Sequence, residues 1–308
     1  MKQFPLELRP LGRTGLGVSP LGLGCVTFGR EIDHASARAV LLRAAESGIN
    51  FCDTSEAYAD GVSETVLGSL LDELGLRGRM LVCTKVRDEL TRDRIPQAAE
   101  ASLRRLSTER LDVYMIHRFD PTTPLEESLG AMDALVRAGK VRHIGCSNFS
   151  AAQLTAALDL QRQAGWRPFE VIQPAYSLVA REAEAELFPL CRREGIGVVT
   201  YSPLAAGFLT GKYDRAGNVP PGSRFDVKPG HRRLYFTEEA FAVLDRLRTL
   251  AQRTGVPMEA LALRWAFVQP AIASFLIGAR SPAQIDQALA AWQQRGLPPE
   301  LPAEFPPA

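Results

Sequence analysis

Between residues 21 and 292, short β-branched or apolar runs alternate with amphipathic stretches, and eight such units can be counted. That order predicts a parallel sheet whose strands are joined by crossover helices. The strands are expected at Leu21–Val26, Ile49–Asp53, Met80–Lys85, Leu111–His117, Val141–Cys146, Phe169–Gln173, Gly197–Thr200 and Ala273–Ile277. Helix punctuation agrees with this. Asp33 is placed to cap the first helix, Gly48 follows its last turn, Ser150 is placed to cap the fifth, and Ser281-Pro282 opens the last. Eight βα units suit a closed (β/α)8 TIM barrel, an α/β fold, better than an open doubly wound sheet. A dinucleotide-binding open sheet would show Gly-x-Gly-x-x-Gly after its first strand, and Gly22-Leu23-Gly24-Cys25-Val26-Thr27 breaks that pattern.

Ahead of the first unit, Leu6–Leu11 and Val18–Leu21 flank the turn Gly12-Arg13-Thr14-Gly15, which reads as an N-terminal β-hairpin able to plug the bottom of a barrel. One connection is out of scale: the stretch from Pro203 to Thr237 separates the seventh strand from the helix that follows it. Long loops in compact domains are usually functional, and this one leaves a strand's C-terminal end, where barrel active sites lie, so it reads as a lid. From Gly296 to Ala308 the chain holds five prolines, which should not extend a helix. With no Pro/Gly-rich linker in mid-chain, residues 1–308 are expected to form a single domain.

Composition narrows the partners. Lys and Arg number 36 against 35 Asp and Glu, a net charge of +1, so no global field draws the chain to nucleic acid or an anionic membrane. Met1 to Pro10 lacks the apolar run of a signal peptide, and no run of spanning length occurs, so a cytoplasmic location is expected. The five cysteines (Cys25, Cys52, Cys83, Cys146, Cys191) include no Cys-x-x-Cys pair, which points to reduced, structural thiols and no metal.

Four reactive side chains sit at or just past the ends of three successive strands: Asp53 and Tyr58 after the second, Lys85 closing the third, His117 closing the fourth. In a barrel such positions converge on one mouth. A tyrosine is a weak acid at neutral pH, but a neighbouring ammonium favours the phenolate and eases proton donation, and Lys85 is placed to supply it. A carboxylate such as Asp53 keeps a lysine charged and in place, while a histidine can hydrogen-bond a carbonyl oxygen. Taken singly, Asp53 reads as a turn cap, Tyr58 as a wall residue and His117 as a core histidine. Lys85 does not reduce so easily, because a lysine closing an apolar strand is costly to bury without a partner. The set describes a proton-transfer site in a barrel and lacks a serine or cysteine nucleophile with its base.

Asn50-Phe51-Cys52-Asp53-Thr54-Ser55-Glu56-Ala57-Tyr58, followed by Gly61-Val62-Ser63-Glu64-Thr65, resembles the strand-two signature of the aldo-keto reductases. Cys83-Thr84-Lys85-Val86, Asp112-Val113-Tyr114-Met115-Ile116-His117 and Ile144-Gly145-Cys146-Ser147-Asn148-Phe149 are similar to that family's lysine, histidine and fifth-strand segments. The likeness runs from about Leu11 to Ala291. It implies hydride transfer from a nicotinamide cofactor to a carbonyl, with Tyr58 as general acid, Lys85 lowering its pKa, Asp53 pairing with Lys85 and His117 orienting the carbonyl.

The same resemblance distributes the cofactor. Ser147, Asn148 and Gln173 hold the carboxamide; Tyr201 stacks on the nicotinamide; Ser202, Leu204 and Lys212 surround the diphosphate. Gly278 and Arg280, which lead from the eighth strand into a helix with Gln284 nearby, face the 2′-phosphate of NADPH. Similar proteins carry glutamate and asparagine three and four residues after that glutamine, whereas this chain has Gln287 and Ala288, which leaves NADH possible. A further departure is Ala59-Asp60, where the family commonly has glycine directly after the tyrosine. The pocket is expected to draw on Phe28, Arg30, Tyr58, Arg87, Arg118, Phe119 and Phe149, with His231, Arg232 and Arg233 from the lid. Those arginines suit a polar or anionic aldehyde and equally a solvated rim. A small carbonyl substrate is therefore the expected partner. Two other readings stand beside it: an NADPH-binding regulatory subunit on the same fold, and a dehydrogenase that oxidises a sugar or polyol.

Overall fold

Side chains alternate across a strand, so inner and outer faces of a closed sheet are set by parity. On five strands the inward series can be followed residue by residue: Phe51 then Asp53, Cys83 then Lys85, Val113 then Met115, His143 then Gly145 and Ser147, Val171 then Gln173. Four of the five series begin apolar at the bottom, the exception opening on His143, and four end polar at the C-terminal end, which places those polar groups at one mouth.

The computed structural model describes residues 6–294, 296, 298 and 300–306. A two-residue antiparallel hairpin, β1 (Arg9–Pro10) and β2 (Gly17–Val18), precedes the barrel. Eight parallel strands then close on themselves: β3 (Leu21–Gly24), β4 (Phe51–Asp53), β5 (Leu81–Val86), β6 (Leu111–Ile116), β7 (Val141–Ser147), β8 (Val171–Gln173), β9 (Gly197–Thr200) and β10 (Ser274–Gly278), with β10 pairing back onto β3. All eight expected strands are present, with ends differing by up to two residues.

Helices cover the outside: α1 (His34–Glu46), α2 (Val62–Glu73), α3 (Arg94–Arg105), α4 (Leu125–Arg137), α5 (Ala151–Ala164) and α6 (Leu187–Glu194). Asp33 caps α1 by accepting from the Ser36 amide, and Ser150 and Gln153 form a reciprocal capping box on α5. Such caps contribute about 1 kcal/mol each. After β9 the chain departs from a simple βα unit. The stretch read as a lid contains two single-turn helices, α7 (Arg224–Val227) and α8 (Arg232–Tyr235), and two long helices follow it, α9 (Glu238–Thr254) and α10 (Met258–Phe267). Phe208, Tyr213, Phe225, Tyr235, Phe236 and Phe241 pack ring against ring and join the lid to the core between strands and helices.

After β10 comes α11 (Pro282–Gln293), and a separate short helix, α12 (Glu300–Glu304), follows. The proline-rich end thus stops α11 as expected but also builds a turn of its own. Pro302 is tolerated there because first-turn amides lack intrahelical acceptors anyway, and Leu301 and Phe305 are buried beside it. Arg295, Leu297, Pro299, Pro307 and Ala308 lie outside the described residues, so the expectation over them ends there.

The core has two parts. One lies between strands and helices. The other fills the barrel, where Phe51, Cys83, Val113, Met115, Val171 and Val199 meet Leu11, Leu16 and Val18 of the hairpin. The hairpin therefore seals the bottom, and Gly12 shows how tightly: at φ 55° it sits where a Cβ would lie 2.2 Å from the Gly197 nitrogen. All five cysteines are buried and unpaired with one another. Among the described residues no helix is long and apolar enough to cross a membrane.

Candidate active site

Lys85 is wholly buried at the barrel mouth, yet its charge is compensated. Nζ donates to Asp53 Oδ1 at 2.6 Å and to the Thr54 carbonyl at 2.8 Å. Burial pulls the ammonium down, but the charges of Asp53 and Tyr58 and the bond to Asp53 outweigh it and hold the pKa above the ordinary lysine range. Gln173 completes the group by donating from Nε2 to the same Asp53 oxygen at 2.8 Å.

Tyr58 is half-buried on the turn leaving β4, with its ring centroid 5.3 Å from Lys85 Nζ. Burial pushes its phenol up to about 12, and the charge of Lys85 pulls against that rise without cancelling it. The expected lowering of the tyrosine pKa is thus only a partial offset, because the phenol gives up more hydration than one ammonium restores. The group remains a protonated acid at neutral pH.

His117 stands edge-on to Tyr58, with ring centroids 5.8 Å apart. Burial, with Lys85 and Arg118 adding repulsion, lowers its pKa to about 3, so the imidazole is neutral. Its Nδ1 lies 3.1 Å from Ser55 Oγ. Sequence reasoning gave Ser55 no role, although it sits inside the strand-two signature. The bond joins residues 62 apart in the chain, which no local spacing announces.

Ser147, Asn148 and Gln173 come together beside this group and are bonded to one another. Ser147 Oγ donates to the Gln173 carbonyl at 2.7 Å, Asn148 Nδ2 donates to the His117 carbonyl at 2.9 Å, and Tyr201 Oη donates to Asn148 Oδ1 at 2.7 Å. Asn148 and Ser202 both take left-handed backbone, each at φ 58°. Leu204 opens the turn at Ala205–Thr210, and Lys212 follows that turn with its ammonium near Gly207. Gly278 and Arg280 are exposed at the end of β10, where Gln284 Oε1 accepts from the Arg280 amide at 2.7 Å and Arg280 Nη1 donates to the Gly222 carbonyl of the lid at 2.8 Å. Arg224 reaches Glu31 at 3.4 Å and ties the lid to the loop after β3. This donor set fits a dinucleotide phosphate: a lysine, an arginine and the N-terminus of the twelve-residue α11, whose cap Ser281 makes no side-chain bond.

Of the residues expected in the pocket wall, Phe28 is wholly buried, Phe119 and Phe149 meet edge to face at 5.4 Å, and Arg30 forks onto Glu31. Arg87 and Arg118 share Asp88, and Arg87 lines a polar recess of about 330 Å3 with Glu56 and Arg94, behind the Tyr58 turn. His231, Arg232 and Arg233 lie on the lid around the start of α8.

The C-terminal mouth of this (β/α)8 barrel thus brings together a buried lysine–aspartate pair, a phenol and a neutral imidazole. The family model described as "Aldo/keto reductase family" matches residues 20–301, and the chain belongs to that family. Among curated relatives it is similar to a protein of Oryza sativa subsp. japonica named "Probable voltage-gated potassium channel subunit beta", 35% identical over 294 residues, covering 91% of this chain and 89% of the other. A protein of the same name from Arabidopsis thaliana is 34% identical over 296 residues, covering 92% of this chain and 90% of the other.

Proposed function

We propose that the protein is a single-domain, cytoplasmic reductase that uses NADPH to reduce the carbonyl of a small aldehyde or ketone, and in reverse oxidises an alcohol or sugar, with no nucleic acid or membrane as partner. The observation that carries this reading is the 2.6 Å contact between Lys85 and Asp53 beneath the Tyr58 ring, with neutral His117 alongside. When bound, the cofactor supplies the hydride that the carbonyl carbon accepts. NADH is admitted as well, since Gln287 and Ala288 stand where glutamate and asparagine are usual.

The rest is done by this chain's residues. Tyr58 gives its proton to the carbonyl oxygen as negative charge develops there, and Lys85 stabilises the phenolate left behind. Asp53, held by Gln173, keeps Lys85 charged. Ser55 Oγ, 3.1 Å from Nδ1, fixes the His117 ring, and the tautomer that carries its hydrogen on Nε2 points a donor at the carbonyl. Ser147, Asn148 and Gln173 would hold the carboxamide, Tyr201 the ring, Ser202, Leu204 and Lys212 the diphosphate, and Gly278, Arg280 and Gln284 the 2′-phosphate.

Mixing the protein with NADPH and a panel of aldehydes, and following loss of reduced-nicotinamide absorbance, tests the proposal. Turnover with at least one aldehyde is expected. Tight NADPH binding without oxidation by any of them would favour a second reading, a cofactor-binding regulatory subunit, which the names of the rice and Arabidopsis relatives support.

A further inference from the structure

The turn that carries Tyr58 is strained. Ala59 (φ 50°, ψ 42°) and Asp60 (φ 51°, ψ 44°) both occupy the left-handed well, and Gly61 follows at φ 88°. Only glycine takes that well without a Cβ penalty, so two of the three positions are held against their preference. Strain of this kind persists where the surroundings over-determine the backbone.

What over-determines it here is an ion pair from outside the turn. The Arg105 side chain, at the end of α3, lies against Gly61, where a Cβ would stand 2.7 Å from Nε. That guanidinium is gripped by Glu64 Oε2 at 2.6 Å and also donates to Ser102 Oγ at 3.3 Å. Glu64 is wholly buried in the first turn of α2, and its Oε1 accepts from Thr84 Oγ1 at 2.5 Å. Thr84 immediately precedes Lys85 on β5. A continuous path therefore runs from the strand that carries Lys85, through Thr84, Glu64 and Arg105, to the turn that carries Tyr58. A buried ion pair returns little net stability, so helix stability alone does not account for a carboxylate in this position.

We infer that Glu64 and Arg105 are positioning residues for Tyr58, a clamp that keeps the left-handed turn closed and the phenol over Lys85. The inference rests on the reading of Tyr58 as the proton donor and adds the groups that hold it there. Glu64 is wholly buried, and both residues act on Tyr58 through the turn.

Two variants test the clamp: Glu64→Gln, which keeps the shape and removes the charge, and Arg105→Lys on the more exposed partner, which keeps the charge and removes the fork. The Val62 amide donates to the Ala59 and Tyr58 carbonyls, so its hydrogen exchange reports the turn without any need for turnover. In both variants exchange over residues 58–64 is expected to speed up about tenfold while the barrel strands stay unchanged. Turnover is expected to fall about 10- to 100-fold with NADPH affinity intact, and the solvent deuterium isotope effect to rise as proton transfer becomes limiting. Adding Ala59→Gly and Asp60→Gly to Arg105→Lys removes the strain and is expected to restore most of the lost turnover. Unchanged exchange in both variants would overturn the clamp, and so would a loss of turnover that the glycines do not rescue. Tyr58→Phe, run in parallel, separates the two ideas: full turnover in that variant would remove Tyr58 as the donor, while the exchange data still decide whether the pair holds the turn.

Discussion

Lys85 Nζ stands 2.6 Å from Asp53 Oδ1, and both side chains are almost wholly removed from water. Neither charge is tolerable alone at that depth, which makes each residue a condition of the other. Asp53→Asn is expected to destabilise the fold by about 3–5 kcal/mol, because it leaves a buried ammonium without its counter-charge. Urea titration of the variant against the parent measures this. Equal midpoints would show that the pair is not a structural requirement.

His117 links stability to pH. Unfolded, a histidine takes up its proton near 6.5, whereas the folded imidazole resists protonation down to about 3, chiefly because it is buried. Between those values the unfolded chain binds more protons, so stability falls as pH drops from 6.5 towards 3, by an amount on the order of a few kcal/mol. In His117→Phe the slope of stability against pH across this window is expected to flatten. The same slope in parent and variant would assign the acid sensitivity to other groups.

At the cofactor end, Arg280 is exposed and bonded to the lid through Gly222. Arg280→Ala is expected to weaken NADPH by roughly tenfold or more and NADH far less, since a guanidinium that grips the 2′-phosphate has nothing to grip in NADH. Fluorescence titration with both cofactors reads the difference. Equal losses would place the arginine elsewhere.

Gly12 tests the plug. At φ 55° and with the Gly195–Gly197 backbone closer than any Cβ tolerates, Gly12→Ala is strained and clashing at once. A loss of about 3 kcal/mol or more is expected in thermal or urea unfolding, with the mouth chemistry unaffected in whatever remains folded. A neutral effect would mean that the hairpin can lift from the barrel at no cost.

Much of this molecule was legible because barrel chemistry and barrel packing share one rhythm. Each inward apolar residue is followed two positions later by the next inward residue, and at the C-terminal end that next residue is Asp53, Lys85, Ser147 or Gln173, so counting strands and reading their last letters is enough to bring these four to one mouth. The lid's helices were not legible, because four residues are too few for a helical period to show, and what orders them is ring packing across distant positions. Ser55 and Glu64 were quoted within a signature and given no role, since their partners, His117 and Arg105, lie 62 and 41 residues away. The residue types announce that Lys85 lowers the Tyr58 pKa, and it does; that burial raises the phenol by more is visible only in the coordinates.

Delivery of the proton by the Tyr58 phenol is tested most directly by single-turnover reduction of an aldehyde by Tyr58→Phe loaded with NADPH. A rate lower by about two to four orders of magnitude is expected, with NADPH affinity within a few-fold of the parent. A rate equal to the parent's, in a variant that binds NADPH normally, would contradict it.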